Sequence, residues 1–366
     1  MPAPALTFVD RTYVLHRNRR LIYFGGTDYH RMSSHPEVTD AMCAAARDHG
    51  ISCTGSRVTT GNHPLHEALE AKLAAFFRTE AALVFASGYL AAMVLLPAIV
   101  DEFELLLLDE TAHPCLSDAA RMLNKPVVTY AHNDPADLRK QLRRHLLAGK
   151  MPLIVTDGVF AARGDLPPLA EYAAIAEASG GKILLDDCHA MGVLGDSGLG
   201  SWEMAGIKRE MIYQTGTLSK AFGVFGGVIT GSKELIRRVE EKSMVFIGST
   251  GLPLPLAAAG VASLEWLTRH REVIGMLQQR SLATKQRLRE AGLNLESTPV
   301  PIIAFGMADT ESAGRMSQAL LDAGIYPSLI NYPGTPPGGL FRFALSSAHT
   351  DEQLALLVEV IDFAFS

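Results

Sequence analysis

Two rhythms of hydrophobic and polar positions run along this chain. Between about residues 81 and 230, short apolar runs are each followed by a turn rich in Gly, Ser, Asp or His, and four of them then by a segment of helical period. The runs are 81–85 (Ala-Ala-Leu-Val-Phe), 105–108, 127–130, 153–157 and 182–186; the helices are expected at about 89–99, from 113 to about 123, at 135–147 and at 167–178. Unbroken apolar runs without alternation read as strands covered on both faces. Their regular alternation with helices predicts βα units and a mostly parallel sheet over roughly residues 45–245.

The flanks follow a different rhythm. Residues 8–24 read as a β-hairpin, with arms at 8–15 and 21–24 and a turn near His16-Arg17-Asn18. Residues 36–49 have helical spacing, with Pro36 suited to the first turn. A glycine-rich loop at 50–61 and a helix at 64–78 come next. Beyond Pro253 and Pro255 one long helical region is expected to about residue 291, then a strand at 301–305, a helix at 312–323, an irregular stretch, a strand at 341–345 and a closing helix at 350–365. The expected organisation is an N-terminal segment, 1–45, whose hairpin and helix pack with a small domain; a large α/β domain, 46–250; and a smaller α+β C-terminal domain, 251–366.

Composition narrows the class. With 48% hydrophobic and 20% charged residues in 366, the chain carries enough apolar side chains for a sizeable core. A net charge of −6 and the absence of a long basic run exclude nucleic acid as an expected partner. No apolar run reaches the ~18 residues of a membrane span, and no signal-peptide pattern opens the chain. The four cysteines, Cys43, Cys53, Cys115 and Cys188, show no CxxC spacing and read as reduced thiols, which points to a cytoplasmic location.

Candidate chemistry gathers where strands end, since ligands of parallel α/β sheets bind beyond the carboxyl ends. Lys220 lies in Thr215-Gly216-Thr217-Leu218-Ser219-Lys220-Ala221-Phe222-Gly223, among hydroxyls and glycines with β-type sequence on both sides. An amine there can lose its proton and attack a carbonyl, giving a Schiff base; the alternative is a buried structural lysine in a turn. Ser87-Gly88-Tyr89 opens a helix whose free N–H groups can cradle a phosphate, or is a plain strand–helix turn. His113 follows another strand, as a site residue or a loop histidine. Asp157 ends a strand, and so does Asp186 in Asp186-Asp187-Cys188-His189. That acidic cluster with a cysteine and a histidine suits a metal in principle, but no second Cys/His cluster completes a ligand set, and no metal is expected. Asp186 is costly to bury unpaired, and a protonated pyridine nitrogen would pair it. An anion cradle, a buried carboxylate and a nucleophilic lysine together match the needs of pyridoxal 5′-phosphate (PLP).

Seven stretches then resemble one family. They are Gly55-Ser56-Arg57 with residues 61–70, Phe85-Ala86-Ser87-Gly88-Tyr89, Asp157-Gly158-Val159-Phe160, Asp186-Asp187-Cys188-His189-Ala190-Met191-Gly192, Thr217-Leu218-Ser219-Lys220 and Ser346-Ser347-Ala348-His349-Thr350. In order and spacing, over about residues 20–350, they are similar to the α-oxoamine synthases, fold-type-I PLP enzymes that condense an amino acid with an acyl thioester. The resemblance implies a PLP transferase with a mostly parallel central sheet and a smaller α+β domain, working as a cytoplasmic homodimer with sites at the subunit interface. It implies that Lys220 carries the cofactor and acts as base, that Asp186 pairs with the ring nitrogen, that His189 bonds near the phenolic oxygen, and that His113 stacks on the ring. Ser87, Gly88, Tyr89, Thr217 and Ser219 would surround the phosphate, with Asp157 also on the cofactor side and Thr250 reaching a neighbouring subunit's phosphate. Arg342 would clamp the substrate carboxylate, and Thr27 would line the substrate-side wall. The implied substrates are glycine, alanine or serine and an acyl-CoA or acyl-carrier-protein thioester, with decarboxylation in most members. An aminotransferase or aldol-type lyase on the same scaffold is the alternative, and a PLP-binding protein without turnover a third reading. Three departures stand out: Ala161 replaces a usual Ser, Thr27-Asp28-Tyr29-His30-Arg31 replaces Asn-Asp-Tyr-Leu-Gly, and the chain begins almost at the hairpin.

Overall fold

The structure is a computed structural model that describes residues 4–331 and 334–365. Residues 1–3, 332, 333 and 366, within the terminal segments expected above, lie outside the described residues. The chain opens with β1 (Thr7–Phe8), β2 (Tyr13–His16) and β3 (Arg19–Ile22), then α1 (Pro36–His49) and α2 (Pro64–Phe77). The first hairpin arm is not continuous as expected. The Asp10 carboxylate accepts the N–H groups of Thr12 and Tyr13 at 2.9 and 3.1 Å, and this side-chain turn breaks the arm into β1 and β2. The hairpin closes through Arg17 and Asn18, both with positive φ (49° and 60°), as a two-residue turn between right-twisted strands requires.

The α/β region then proceeds as β4 (Ala81–Phe85), α3 (Ala91–Ile99), β5 (Leu105–Asp109), α4 (Pro114–Arg121), β6 (Val127–Tyr130), α5 (Pro135–His145), β7 (Pro152–Asp157), α6 (Leu169–Ala178), β8 (Lys182–Asp186), the short α7 (Ser201–Met204), β9 (Ile212–Thr217), β10 (Gly227–Gly231), α8 (Lys233–Lys242) and the short α9 (Met244–Ile247). Seven strands form one sheet in the order β4-β10-β9-β8-β7-β5-β6, in which β10 alone runs antiparallel to its neighbours. Because successive side chains of a strand point to opposite faces, odd and even positions serve different helices. Leu106, Leu108, Val155 and Leu184 meet α3, α4 and α8, and Leu107, Ile154, Ile183 and Leu185 meet α5 and α6.

The expected long helix after Pro253 is two helices, α10 (Leu254–Arg269) and α11 (Glu272–Glu290). It breaks at His270, which leaves helical geometry (φ −122°, ψ 47°) with its ring against Trp266 at 4.6 Å. A second three-stranded sheet, β11 (Ile302–Gly306), β12 (Leu329–Ile330) and β13 (Leu340–Ala344), carries α12 (Thr310–Asp322) and α13 (Asp351–Phe365). The N-terminal strands are tied to this part: Ile22 N–H donates to Gly324 O at 2.8 Å, Tyr326 N–H to Ile22 O at 2.9 Å and Ala344 N–H to Phe24 O at 2.5 Å. One apolar core runs through Phe24, Leu73, Phe222, Leu277, Phe343 and Leu357, joining the hairpin, α2, the turn after β9, α11, β13 and α13.

Candidate active site

Strand register assembles the first part of the site. Asp157 of β7 lies opposite Asp186 of β8, and Asp186 opposite Thr215 of β9, so polar residues that end successive strands become neighbours. Asp186 is buried; its Oδ1 accepts Cys188 N–H at 3.1 Å and its Oδ2 accepts the Cys115 thiol at 3.3 Å. Asp157 accepts the backbone N–H of His113 at 2.8 Å, and burial together with the charge of Asp186 pushes its carboxyl well above the usual carboxylate range.

His113 is held at the start of α4, where its Nδ1 accepts Cys115 N–H at 3.3 Å. An Nδ1 that accepts leaves the ring proton on Nε2. Burial lowers the pKa of His113 and outweighs the opposing charge of Asp186, which keeps the ring neutral. His189 is almost fully enclosed, with Nδ1 2.7 Å from the Tyr29 hydroxyl. Burial and the nearby cations Lys220 and Arg342 hold it well below the ordinary histidine range, while burial pushes the Tyr29 phenol up to about 12.

Lys220 sits half-buried in the turn after β9, which is closed by Gly223 N–H to Lys220 O at 3.0 Å and Val224 N–H to Leu218 O at 3.0 Å. Gly223 has φ +64°, and a Cβ on it would lie 2.2 Å from Ser33 N, so only glycine fits there. The charge of Lys220 bears on His113, Cys115, Asp157, Cys188 and His189. Arg342 of β13 enters from the other side: its Nε donates to Ala161 O at 2.7 Å and its Nη1 lies 3.4 Å from Gly26 O, beside Thr27. Thr27 itself lines a cavity of about 130 Å³ with Tyr23, Gly26 and Arg31.

The turn after β4 is the expected anion cradle. Ser87 Oγ accepts Tyr89 N–H at 3.3 Å, and the antiparallel pairing of β10 with both β4 and β9 sets this turn against Thr217. A Cβ on Gly88 would lie 2.6 Å from Thr217 Cβ. Thr217 Oγ1 donates to Gly226 O at 2.9 Å and accepts Ser219 N–H at 3.1 Å. Thr250 is exposed, paired with Ser56 in an isolated bridge. Cysteine chemistry is restrained: all four thiols are free, and burial pushes those of Cys115 and Cys188 up. Among the described residues no cluster of metal-ligating side chains forms, and no helix is long and apolar enough to cross a membrane.

This set fits PLP. The bare Gly88 lets its turn lie directly against Thr217, hydroxyls of Ser87, Thr217 and Ser219 suit a phosphate, and a buried carboxylate faces the space shared with an amine. Sequence reading missed three partners: Tyr29, the Cys115 side chain and the Ala161 carbonyl. Cys115 lies two residues after His113, a usable signal for a residue in the first turn of a helix. A backbone carbonyl gives no signal at all.

A model of the aminotransferase class I and II family matches residues 19–361. The chain is 36% identical over 350 residues to the 8-amino-7-oxononanoate synthase of Methylocella silvestris, covering 95% of this chain and 98% of that one. It is 34% identical over 346 residues to 8-amino-7-oxononanoate synthase 1 of Bacillus velezensis, covering 94% and 88%. Its structure superposes with a TM-score of 0.90, at 29% identity over 98% of this chain and 92% of that one, on a serine palmitoyltransferase from S. paucimobilis with bound PLP–myriocin. The chain belongs to the α-oxoamine synthase family. Within that family its architecture is that of a fold-type-I PLP transferase, and PLP is the cofactor that the donor set accommodates.

Proposed function

We infer that this α-oxoamine synthase family member is a PLP-dependent C-acyltransferase that condenses glycine, alanine or serine with an acyl thioester to an α-oxoamine, with loss of CO₂. What supports the reading is that strand register and hydrogen bonds set Asp186, Asp157 and His113 together, that Arg342 is bonded to the turn after β7, and that the charge of Lys220 bears on His113 and His189. When bound there, PLP supplies an electron sink for negative charge at the substrate Cα.

The chain's own residues do the rest. Arg342, anchored by the Ala161 carbonyl, turns the outer edge of its guanidinium to the amino-acid carboxylate. Lys220 removes the proton from the substrate Cα. His113, neutral and protonated at Nε2, donates to the acyl carbonyl oxygen as it gains charge. With PLP bound, Asp186 would pair with its ring nitrogen, and neutral His189, held by Tyr29, would offer its Nε2–H near the phenolic oxygen. Ser87, Gly88, Tyr89, Thr217 and Ser219 would hold the phosphate, and Asp157, opposite Asp186 in the register of β7 and β8, would lie on the cofactor side. The exposed Thr250 supports a homodimer in which one subunit's Thr250 reaches the other's phosphate. In this reading residues 46–250 carry the cofactor, 251–366 close over the substrate with 1–45, the acyl donor is a CoA or acyl-carrier-protein thioester, and the enzyme works in the cytoplasm.

The test is to incubate purified holoenzyme with glycine, alanine or serine, with and without acyl-CoAs of several chain lengths, following free thiol and the product mass. Thiol release that requires one amino acid, with an α-oxoamine as product, is expected. Keto-acid formation without a thioester would instead make the protein an aminotransferase. Lys220→Ala is expected to lower turnover by about 10²–10⁴-fold, the range for removing a positioned base.

A further inference from the structure

The carbonyl that anchors Arg342 belongs to the tight turn following β7. Phe160 N–H donates to Asp165 O at 3.0 Å and Gly164 N–H to Phe160 O at 2.8 Å, so the position of Ala161 follows that of the whole turn. The turn is gripped from the β6–α5 connection by three contacts. The His132 ring meets the Phe160 ring edge-on at 4.4 Å and 89°. His132 Nε2 lies 3.9 Å from an Asp165 carboxylate oxygen. Asn133, the residue with φ +53° in that connection, donates through Nδ2 to Leu166 O at 3.2 Å.

The grip is itself anchored in the sheet. Asp109, the buried last residue of β5, lies 3.0 Å from His132 Nδ1 and accepts Asn133 N–H at 3.1 Å. Glu110 accepts His132 N–H at 3.1 Å. We propose that His132 is a positioning residue for substrate recognition: clamped by Asp109, it holds the 158–166 turn so that the Ala161 carbonyl fixes the Arg342 guanidinium toward the amino-acid carboxylate. Asp109 and then Asp165 raise the His132 pKa to about 9, so the ring is a cation between two carboxylates at neutral pH. Because the anchor is a backbone carbonyl, it works equally well with alanine at position 161. The inference rests on the assignment of Arg342 as the carboxylate clamp.

The experiment is a double-mutant cycle read as amino-acid affinity. Glycine, alanine and serine are titrated by calorimetry into the holoenzymes of wild type, His132→Ala, Arg342→Ala and the double variant, with cofactor content and the KM for the acyl thioester measured alongside. His132→Ala is expected to weaken amino-acid binding about five- to twentyfold, within the coupling range of groups in one network, and to leave cofactor content and the thioester KM within about twofold. Arg342→Ala weakens binding further, and the double variant is expected to be no worse than Arg342→Ala alone. Unchanged affinity in His132→Ala, additive losses in the double variant, or loss of cofactor in step with affinity would each overturn the inference. Should His132→Ala fail to fold, Phe160→Leu removes the ring contact and leaves the Asp109 cluster intact; it must weaken binding at least threefold or the inference falls. If wild type takes none of the three amino acids, the functional reading falls together with the inference. If wild type binds and the variants bind equally, only the inference falls.

Discussion

Tyr29 and His189 show how burial sets charge at single residues of this site. Both are enclosed, each satisfies the other, and burial disfavours the charged form of each. Tyr29→Phe removes the partner of a buried ring nitrogen, and a loss of about 1–3 kcal/mol in denaturant-measured stability is expected. His132 titrates in the opposite direction. The hydrogen bond to Asp109 and then the nearby Asp165 carboxylate raise its folded-state pKa to about 9 from 6.5, and the charge of Asp165 bears on Lys285 as well. A raised pKa means that the stabilisation is complete below about pH 6.5 and disappears as pH rises through about 9. Urea denaturation across pH 6 to 10 should therefore show a fall in stability that is smaller in His132→Asn. Equal slopes in both proteins would remove His132 from the account.

At the scale of elements, the site depends on which strand ends meet. The β10 pairing sets Ser87-Gly88 against Thr217 so tightly that a methyl group on residue 88 would sit within 2.7 Å of Thr217 Cβ and Oγ1. Gly88→Ala must part the turn from the end of β9. A stability cost of about 1–3 kcal/mol is expected from the overpacking, along with PLP binding to the apoprotein weakened about tenfold or more. A variant that takes up PLP as wild type does would show that this turn is not the phosphate cradle. The turn that carries Lys220 relies on Phe222, whose ring meets Phe76 and Phe77 edge-on at 5.9 and 6.1 Å. Phe222→Ala empties that contact and is expected to destabilise by about 3–5 kcal/mol.

Across the whole molecule, one core continues from the N-terminal hairpin to the last helix, and the hairpin is hydrogen-bonded to the C-terminal sheet. Arg342 is thereby carried on one sheet while the acids and Lys220 lie at the end of another, and the proposed substrate space lies between them. In the proposed homodimer the exposed Thr250 reaches the phosphate of the second copy. Sedimentation should accordingly give twice the chain mass of 39.4 kDa. A monomer with full activity would exclude an inter-subunit phosphate contact.

The sequence by itself determined the βα succession, because apolar runs without alternation can be satisfied only between two layers of helices. It also placed Lys220, Asp186, Asp157, His113 and Ser87-Gly88-Tyr89 at strand ends, and the carboxyl ends of a parallel sheet share one edge, so their meeting was legible before any coordinate. Two local boundaries escaped it: Asp10 interrupts the hairpin arm with its own side chain, and His270 ends a helix within a continuous helical pattern. What only the tertiary structure decided are contacts between distant segments. The order of strands sets β10 between β4 and β9, so the anion turn reaches Thr217. Tyr29 meets His189 from 160 positions away, Arg342 finds a carbonyl 181 positions earlier, and His132 grips that carbonyl's turn. Periodicity carries information about the face a residue shows to its own layer. It carries none about which remote side chain or carbonyl arrives opposite, because the packing of the whole chain fixes that distance.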